Sequence, residues 1–161
     1  MSSLVTLDQA KAQGRITWTS EDTLLQSYID AAERYAMAFL NRNVYADDTA
    51  LAAAVADAPA ALATAKAAYD AAYAAWQLMD AGDLADIALE KLNQDWTVAK
   101  TAARRTYFGM VVNATFVQAI VLLVAGWAVN REFVITELSD AIELPMGFTA
   151  LLWNDRVRQG V

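Results

Sequence analysis

Three aspartates, Asp80, Asp83 and Asp86, are the side chains whose type and spacing come nearest to a chemical site. Carboxylates hold magnesium or calcium, or move protons, when several oxygens converge on one point. On a helix only neighbouring pairs three residues apart would face each other, and the break at Gly82 disturbs even that. The alternating oxygens of a calcium loop are not in this stretch, so a solvated acidic turn is the preferred reading. The chain has no histidine and no cysteine. That removes the commonest general base, and it excludes serine–histidine triads, zinc sites of the HExxH kind, thiolate metal sites and disulfides. An enzyme working through carboxylates alone has nothing further in the spacing to support it. No catalytic residue, metal or cofactor is expected.

The remaining candidates are binding groups. Tyr69, Tyr73 and Trp76 lie near one stripe of an alanine-rich segment and can stack on bases or sugars, but a packing seam is the simpler expectation. Lys100, Arg104 and Arg105 form a small basic patch, read as a solvated helix face or a partner for the chain's acidic block, with an anion contact the weaker option. Trp153 with Arg156 and Arg158, close to the C-terminus, has the composition of an interface anchor. Trp153 folding back on its own domain is the competing possibility.

These groups sit on a chain of 161 residues, the size of one domain, able to bury about two-thirds of its unfolded surface. Its 57% hydrophobic content overstates the core, because much of it is alanine. The net charge of −7 arises wholly between Asp47 and Asp95, where nine acidic residues face two lysines, Lys66 and Lys91. Such a block argues against general nucleic-acid binding there, since phosphate attraction needs the opposite sign. The start, MSSLVTLDQAK, lacks a basic region followed by an apolar one, so no signal peptide is expected.

The elements that must position these groups are helical. Thr6 and Gln9 form a capping box for a first short helix ended by Gly14. Thr19 or Ser20 starts a second, about five turns long, ending near Asn41 to Asn43. Its apolar residues Leu24, Leu25, Tyr28, Ile29, Ala32, Ala36, Phe39 and Leu40 recur at helical spacing. Gln26, Asp30, Glu33 and Arg34 fall on the wet side. Asp47 and Asp48 open a further helix, and Pro59, with no amide proton to donate, should end or restart it. An alanine-rich helical hairpin follows, its arms joined near Gly82, with Leu84, Ile87, Ala88 and Leu92 turned inward. The end of the second arm is open in the sequence.

Thr115 and Gln118 pair as a capping box before an apolar helix from Phe116 to Val129. Its uninterrupted apolar run, Ala119 to Val129, has eleven residues, where a membrane span needs about twenty, so it reads as a core helix. Phe133 to Glu143 is a loop or short extended piece. Leu144, Pro145 and Gly147 make a turn into a closing helix with Phe148, Leu151 and Leu152 on one face. The expected core combines Leu25, Tyr28, Ile29 and Phe39 with Ile120, Leu123, Val124 and Trp127.

The order of LVTLDQAK, DTLLQSYIDAAERYAMAFLNR, VQAIVLLVAGWAVNRE and ELPMGFTALLWNDRV resembles the head–tail connector (adaptor, head-completion) family of tailed phages. Leu144, Pro145, Gly147, Leu151 and Leu152 stand at its LPxG and LL positions; Trp127, Asn130 and Arg131 match its W–x–x–N–R ending. The blocks resembling it are residues 4–45 and 115–157, with the acidic hairpin of about 46–105 inserted between them in a single connector domain.

The resemblance implies an all-α subunit: a small helical bundle with a C-terminal arm ending in a short helix. It further implies a non-catalytic ring of about twelve copies beneath the portal protein. Such rings extend the DNA channel without sequence-specific binding and receive tail-completion proteins. The setting implied is the virion head–tail interface, after assembly in host cytoplasm, with no membrane. Leu144, Pro145, Gly147, Trp153, Arg156 and Arg158 would then meet the portal or a neighbouring subunit. The alternative is a monomeric acidic helical regulator that mimics DNA and blocks a basic partner protein.

Overall fold

Residues 3–129 and 146–157 are described by the structure, a computed structural model. In order they form α1 (Leu7–Gly14), α2 (Asp22–Leu40), β1 (Val44–Tyr45), α3 (Asp48–Trp76), α4 (Asp83–Tyr107), β2 (Met110–Val111), α5 (Ala114–Val129) and α6 (Met146–Leu152), followed by a 3-10 turn, Trp153–Asp155. The protein is all-α apart from one two-residue strand pairing among the described residues. The chain divides into two compact units, one made of residues 1–46 and 110–161 and the other of 47–109.

In the first unit, Thr6 and Gln9 form the reciprocal cap: the Gln9 amide donates to Thr6 Oγ1 at 3.2 Å and the Thr6 amide to Gln9 Oε1 at 2.8 Å. α1 stops at Gly14 because Arg15 turns left-handed (φ 51°) and its amide closes back onto Lys11 and Ala12. Glycine precedes it for closeness, since a Cβ on Gly14 would lie 3.0 Å from Ile16 Cδ1. α2 begins after Glu21, a residue or two later than Thr19 or Ser20, with no side-chain cap, and ends on left-handed Asn41.

α2 and α5 form the centre of this unit, with α1 and α6 packed on α5. Leu25, Ile29 and Leu40 from α2 meet Phe116, Ile120, Leu123 and Val124 from α5, closed by Val5, Phe148 and Leu152, all essentially out of water. Each such side chain contributes about 1.5–3 kcal/mol of burial. Tyr28, Phe39 and Trp127 pack partly buried against this core, with Tyr28 and Trp127 edge to face at 6.1 Å. The cap of α5 differs from expectation: Asn113 Oδ1 accepts from the Phe116 amide at 2.8 Å, while Thr115 donates its hydroxyl to that same oxygen. Asparagine one residue before the helix reaches the free amide at its third position, which Thr115, already inside the helix, cannot do.

Strands β1 and β2 run parallel, with Val44 opposite Met110 and Tyr45 opposite Val111. They mark where the chain departs for the second unit and where it returns.

That second unit is an antiparallel pair, α3 and α4. In α3 the less exposed residues are Ala50, Leu51, Ala54, Val55, Ala58, Leu62, Ala65, Tyr69 and Trp76; in α4 they are Ala85, Ala88, Leu89, Leu92, Trp96, Ala99 and the stretch from Ala103 to Thr106. Most of these recur at steps of three and four residues, the spacing of a helix–helix seam. Tyr69 spans the seam, its ring 5.8 Å from Trp96 and its hydroxyl 3.2 Å from Asn93 Oδ1. Near the joint, Trp76 Nε1 donates to the Ala85 carbonyl at 2.8 Å. Two expectations are corrected here. α3 runs through Pro59 unbroken. Proline forfeits the bond to the Val55 carbonyl, but the alanines around it are the strongest helix formers and the seam holds both flanks. Of the four residues expected inward, Ala88 and Leu92 are partly buried, but Leu84 and Ile87 are 77% and 61% exposed, because Ala85 and Leu89 take their place in the seam.

Length and composition alone would let α3 cross a membrane. Its apolarity is mostly alanine methyls, and Asp57, Lys66 and Asp70 interrupt it at a cost a bilayer would magnify.

Candidate partner interface

The C-terminal segment is built onto the first unit from its aromatic side outward. Phe148 of α6 is fully buried, 5.4 Å from the Tyr35 ring and 5.9 Å from the Phe39 ring. Leu152 is buried one turn later. The 3-10 turn that follows is fixed by three polar contacts. Arg42 donates to the Asp155 carbonyl at 3.1 Å, Asn113 Nδ2 donates to Asp155 Oδ2 at 2.9 Å, and the Val157 amide donates to the Leu40 carbonyl at 2.9 Å.

These contacts present a surface. The Arg156 guanidinium lies 5.0 Å from the Phe39 ring centre and 5.8 Å from that of Trp153, a cation held by two aromatic faces. Trp153 is nevertheless 58% exposed, and Tyr35 beside Phe148 also reaches solvent. The result is an aromatic and cationic patch on a platform ordered through Val157. Trp buries a large area at the cost of fixing two χ angles, and here the Arg beside it is already held between two rings, the combination that anchors protein interfaces. Of the other residues proposed from the sequence, Gly147 is exposed at the start of α6, with room for a methyl 3.8 Å from Leu122. Leu144, Pro145 and Arg158, and the Asn130–Arg131 ending, lie outside the described residues.

Glu33 was missed as a functional group. Assigned to the wet side of α2, it is 7% exposed, and its Oε1 accepts from the amides of Leu4 and Val5 and from the Ser3 hydroxyl. Its place four residues after Ile29 on the buried stripe was the available signal.

In the second unit, Tyr69, Tyr73 and Trp76 stack along α3, Tyr69 on Tyr73 at 6.0 Å and Tyr73 on Trp76 at 5.3 Å. Lys100 sits over Trp96 and Arg104 over Phe108, each at 5.5 Å. Asp80, Asp83 and Asp86 are all exposed. Among the described residues no group of three or more acidic side chains is arranged to hold a metal ion.

Residues 4–76 match the family model described as "Phage gp6-like head-tail connector protein". The matched stretch takes in α1, α2, β1 and the whole of α3, so it extends into the segment read from the sequence as an insertion. No curated protein and no solved structure matches the chain.

Proposed function

We propose, from the premise that this chain belongs through residues 4–76 to the phage gp6-like head-tail connector family, that it is a ring-forming structural subunit seated on the portal. The family is one of virion structural connectors, not of enzymes. The first unit supplies the body of each subunit, and neighbours join through head-to-tail heterologous contacts, the kind that close into rings. Portal or neighbour binds the patch around Trp153 and Arg156, continued by the stretch from Leu144 to Arg158. The completed ring lengthens the DNA channel and accepts tail-completion proteins, within the virion, after assembly in host cytoplasm. Where the hairpin borders the channel, its acidic residues repel the DNA phosphates and let the duplex slide.

The observation that best supports the partner surface is an exposed tryptophan over an arginine on a segment already pinned by Arg42 and Asn113. Ordering done in advance lowers the entropy lost on association. The test is negative-stain imaging and sedimentation of the purified protein, alone and mixed with its portal. Rings or portal complexes are expected, lost or weakened at least tenfold by Trp153→Ala, since interface anchors of this type carry about 2 kcal/mol or more. A protein that stays monomeric at high concentration with portal present overturns the reading.

A further inference from the structure

The joint of the helical hairpin carries large apolar side chains that nothing in its own unit covers. Leu78 is 88% exposed, and Met79, Leu84 and Ile87 are exposed close by. Met79 also borders an open cleft of about 500 Å³, lined besides by Trp76, Gly82, Ala85 and Asp86, sequence neighbours of Leu78, Leu84 and Ile87. So many large apolar groups within ten residues, next to a hollow able to take a side chain, mark a contact surface.

Charge identifies the occupant. From Lys66 to Asp95 there are six carboxylates and two lysines. Both lysines are engaged four residues along their own helices, Lys66 with Asp70 and Lys91 with Asp95. The remaining acids, Asp80, Asp83, Asp86 and Glu90, are exposed on the same short stretch of chain as the apolar groups, Asp86 at the cleft itself. A second copy of this tip would bring like charge against like charge, and DNA carries the same sign.

We infer that the hairpin tip docks a basic, amphipathic segment of another protein, whose apolar side chains cover Leu78, Leu84 and Ile87 while its lysines or arginines meet the aspartates. The tip lies beyond the stretch that matches the connector family, so this inference stands on its own side chains and goes beyond the assembly reading.

The experiment titrates the full-length protein with an amphipathic helical peptide of leucine and lysine, followed by calorimetry. A scrambled peptide of the same composition, without an apolar face, serves as control. A saturable complex is expected. Leu84→Ser with Ile87→Ser should weaken it about tenfold or more, and so should scrambling. Asp80→Asn, Asp83→Asn and Asp86→Asn together should weaken it and flatten its salt dependence. All five positions are exposed, so circular dichroism should show each variant folded. The inference is overturned by no complex, by equal binding of the scrambled peptide, or by equal binding of the Leu84/Ile87 variant. Self-association that disappears in that variant, or sedimentation of the parent with neutral phosphatidylcholine vesicles, overturns it too, because the occupant is then another copy or a lipid surface. Ring formation on the portal is read separately, so either conclusion can fail alone.

Discussion

Glu33 and Val5 are joined by a buried hydrogen bond, the Val5 amide donating to Glu33 Oε1 at 2.9 Å. The same oxygen receives the Leu4 amide at 2.7 Å and the Ser3 hydroxyl at 3.0 Å. One carboxylate thus holds the chain's first described residues against α2 and seats Val5 in the core. Glu33→Ala leaves two amides without this acceptor, and the expected loss is about 1–3 kcal/mol. Urea unfolding should show a lower midpoint, and hydrogen exchange at Leu4 and Val5 should quicken. Glu33→Gln keeps an acceptor oxygen and should lose less. An unchanged midpoint in Glu33→Ala would mean that the clamp contributes nothing.

Asn113 performs two tasks from one side chain, capping α5 through Oδ1 and holding Asp155 through Nδ2. Asn113→Ala should cost about 1–2 kcal/mol, within the range of lost helix caps. Asn113→Asp separates the tasks, because it keeps the capping oxygen but sets a carboxylate against Asp155. Weaker portal binding in Asn113→Asp, with α5 still stable, would show that the pinned turn supports the Trp153 surface.

Pro59 is tolerated in α3, not favoured. Pro59→Ala restores an amide donor for the Val55 carbonyl, at an exposed position, and should stabilise the hairpin by up to about 3 kcal/mol. The check is a gain in helical signal and a higher unfolding midpoint of the full chain. A loss of stability would show that the ring of Pro59 makes a packing contribution larger than the missing bond.

Gly82 holds φ 156° and ψ 179°, a backbone region that side chains with a Cβ rarely enter. An added Cβ would meet nothing within 4 Å, so Gly82→Ala tests backbone strain alone. The expected cost is about 1–3 kcal/mol, read by thermal unfolding. If stability is unchanged, the joint re-forms with a different turn.

Much of this architecture was legible in the residues. Thr6 with Gln9, the apolar spacing of α2, and the run from Ala119 to Val129 each combine a local signal with a period that agrees with it. The failures have separate physical causes. Where alanine supplies a packing seam, the larger apolar residues no longer report which face is inside, so Leu84 and Ile87 were turned the wrong way. Proline reports a local cost that a long alanine helix can absorb, and Pro59 misled for that reason. Glu33 was hidden by its charge, because its partners are backbone amides contributed from a distant part of the chain and amides leave no trace in side-chain patterns. The exposed position of Trp153 was one of two readings left open, and the Arg156 beside it also meets Phe39, a pairing separated by more than a hundred residues that no local pattern reports.

Val44 and Met110 travel in the same direction, so no tight reverse turn can link one to the other. The chain between them has to complete a circuit, up one arm and down its companion, and arrive in step. A lone insertion or deletion in α3 would drag that rung out of alignment, whereas matched seven-residue changes in both arms would leave it undisturbed. The packed arms can therefore lengthen only in paired increments of two helical turns, and any unmatched residues have to be absorbed in the turn at Gly82, at the far end from the strands.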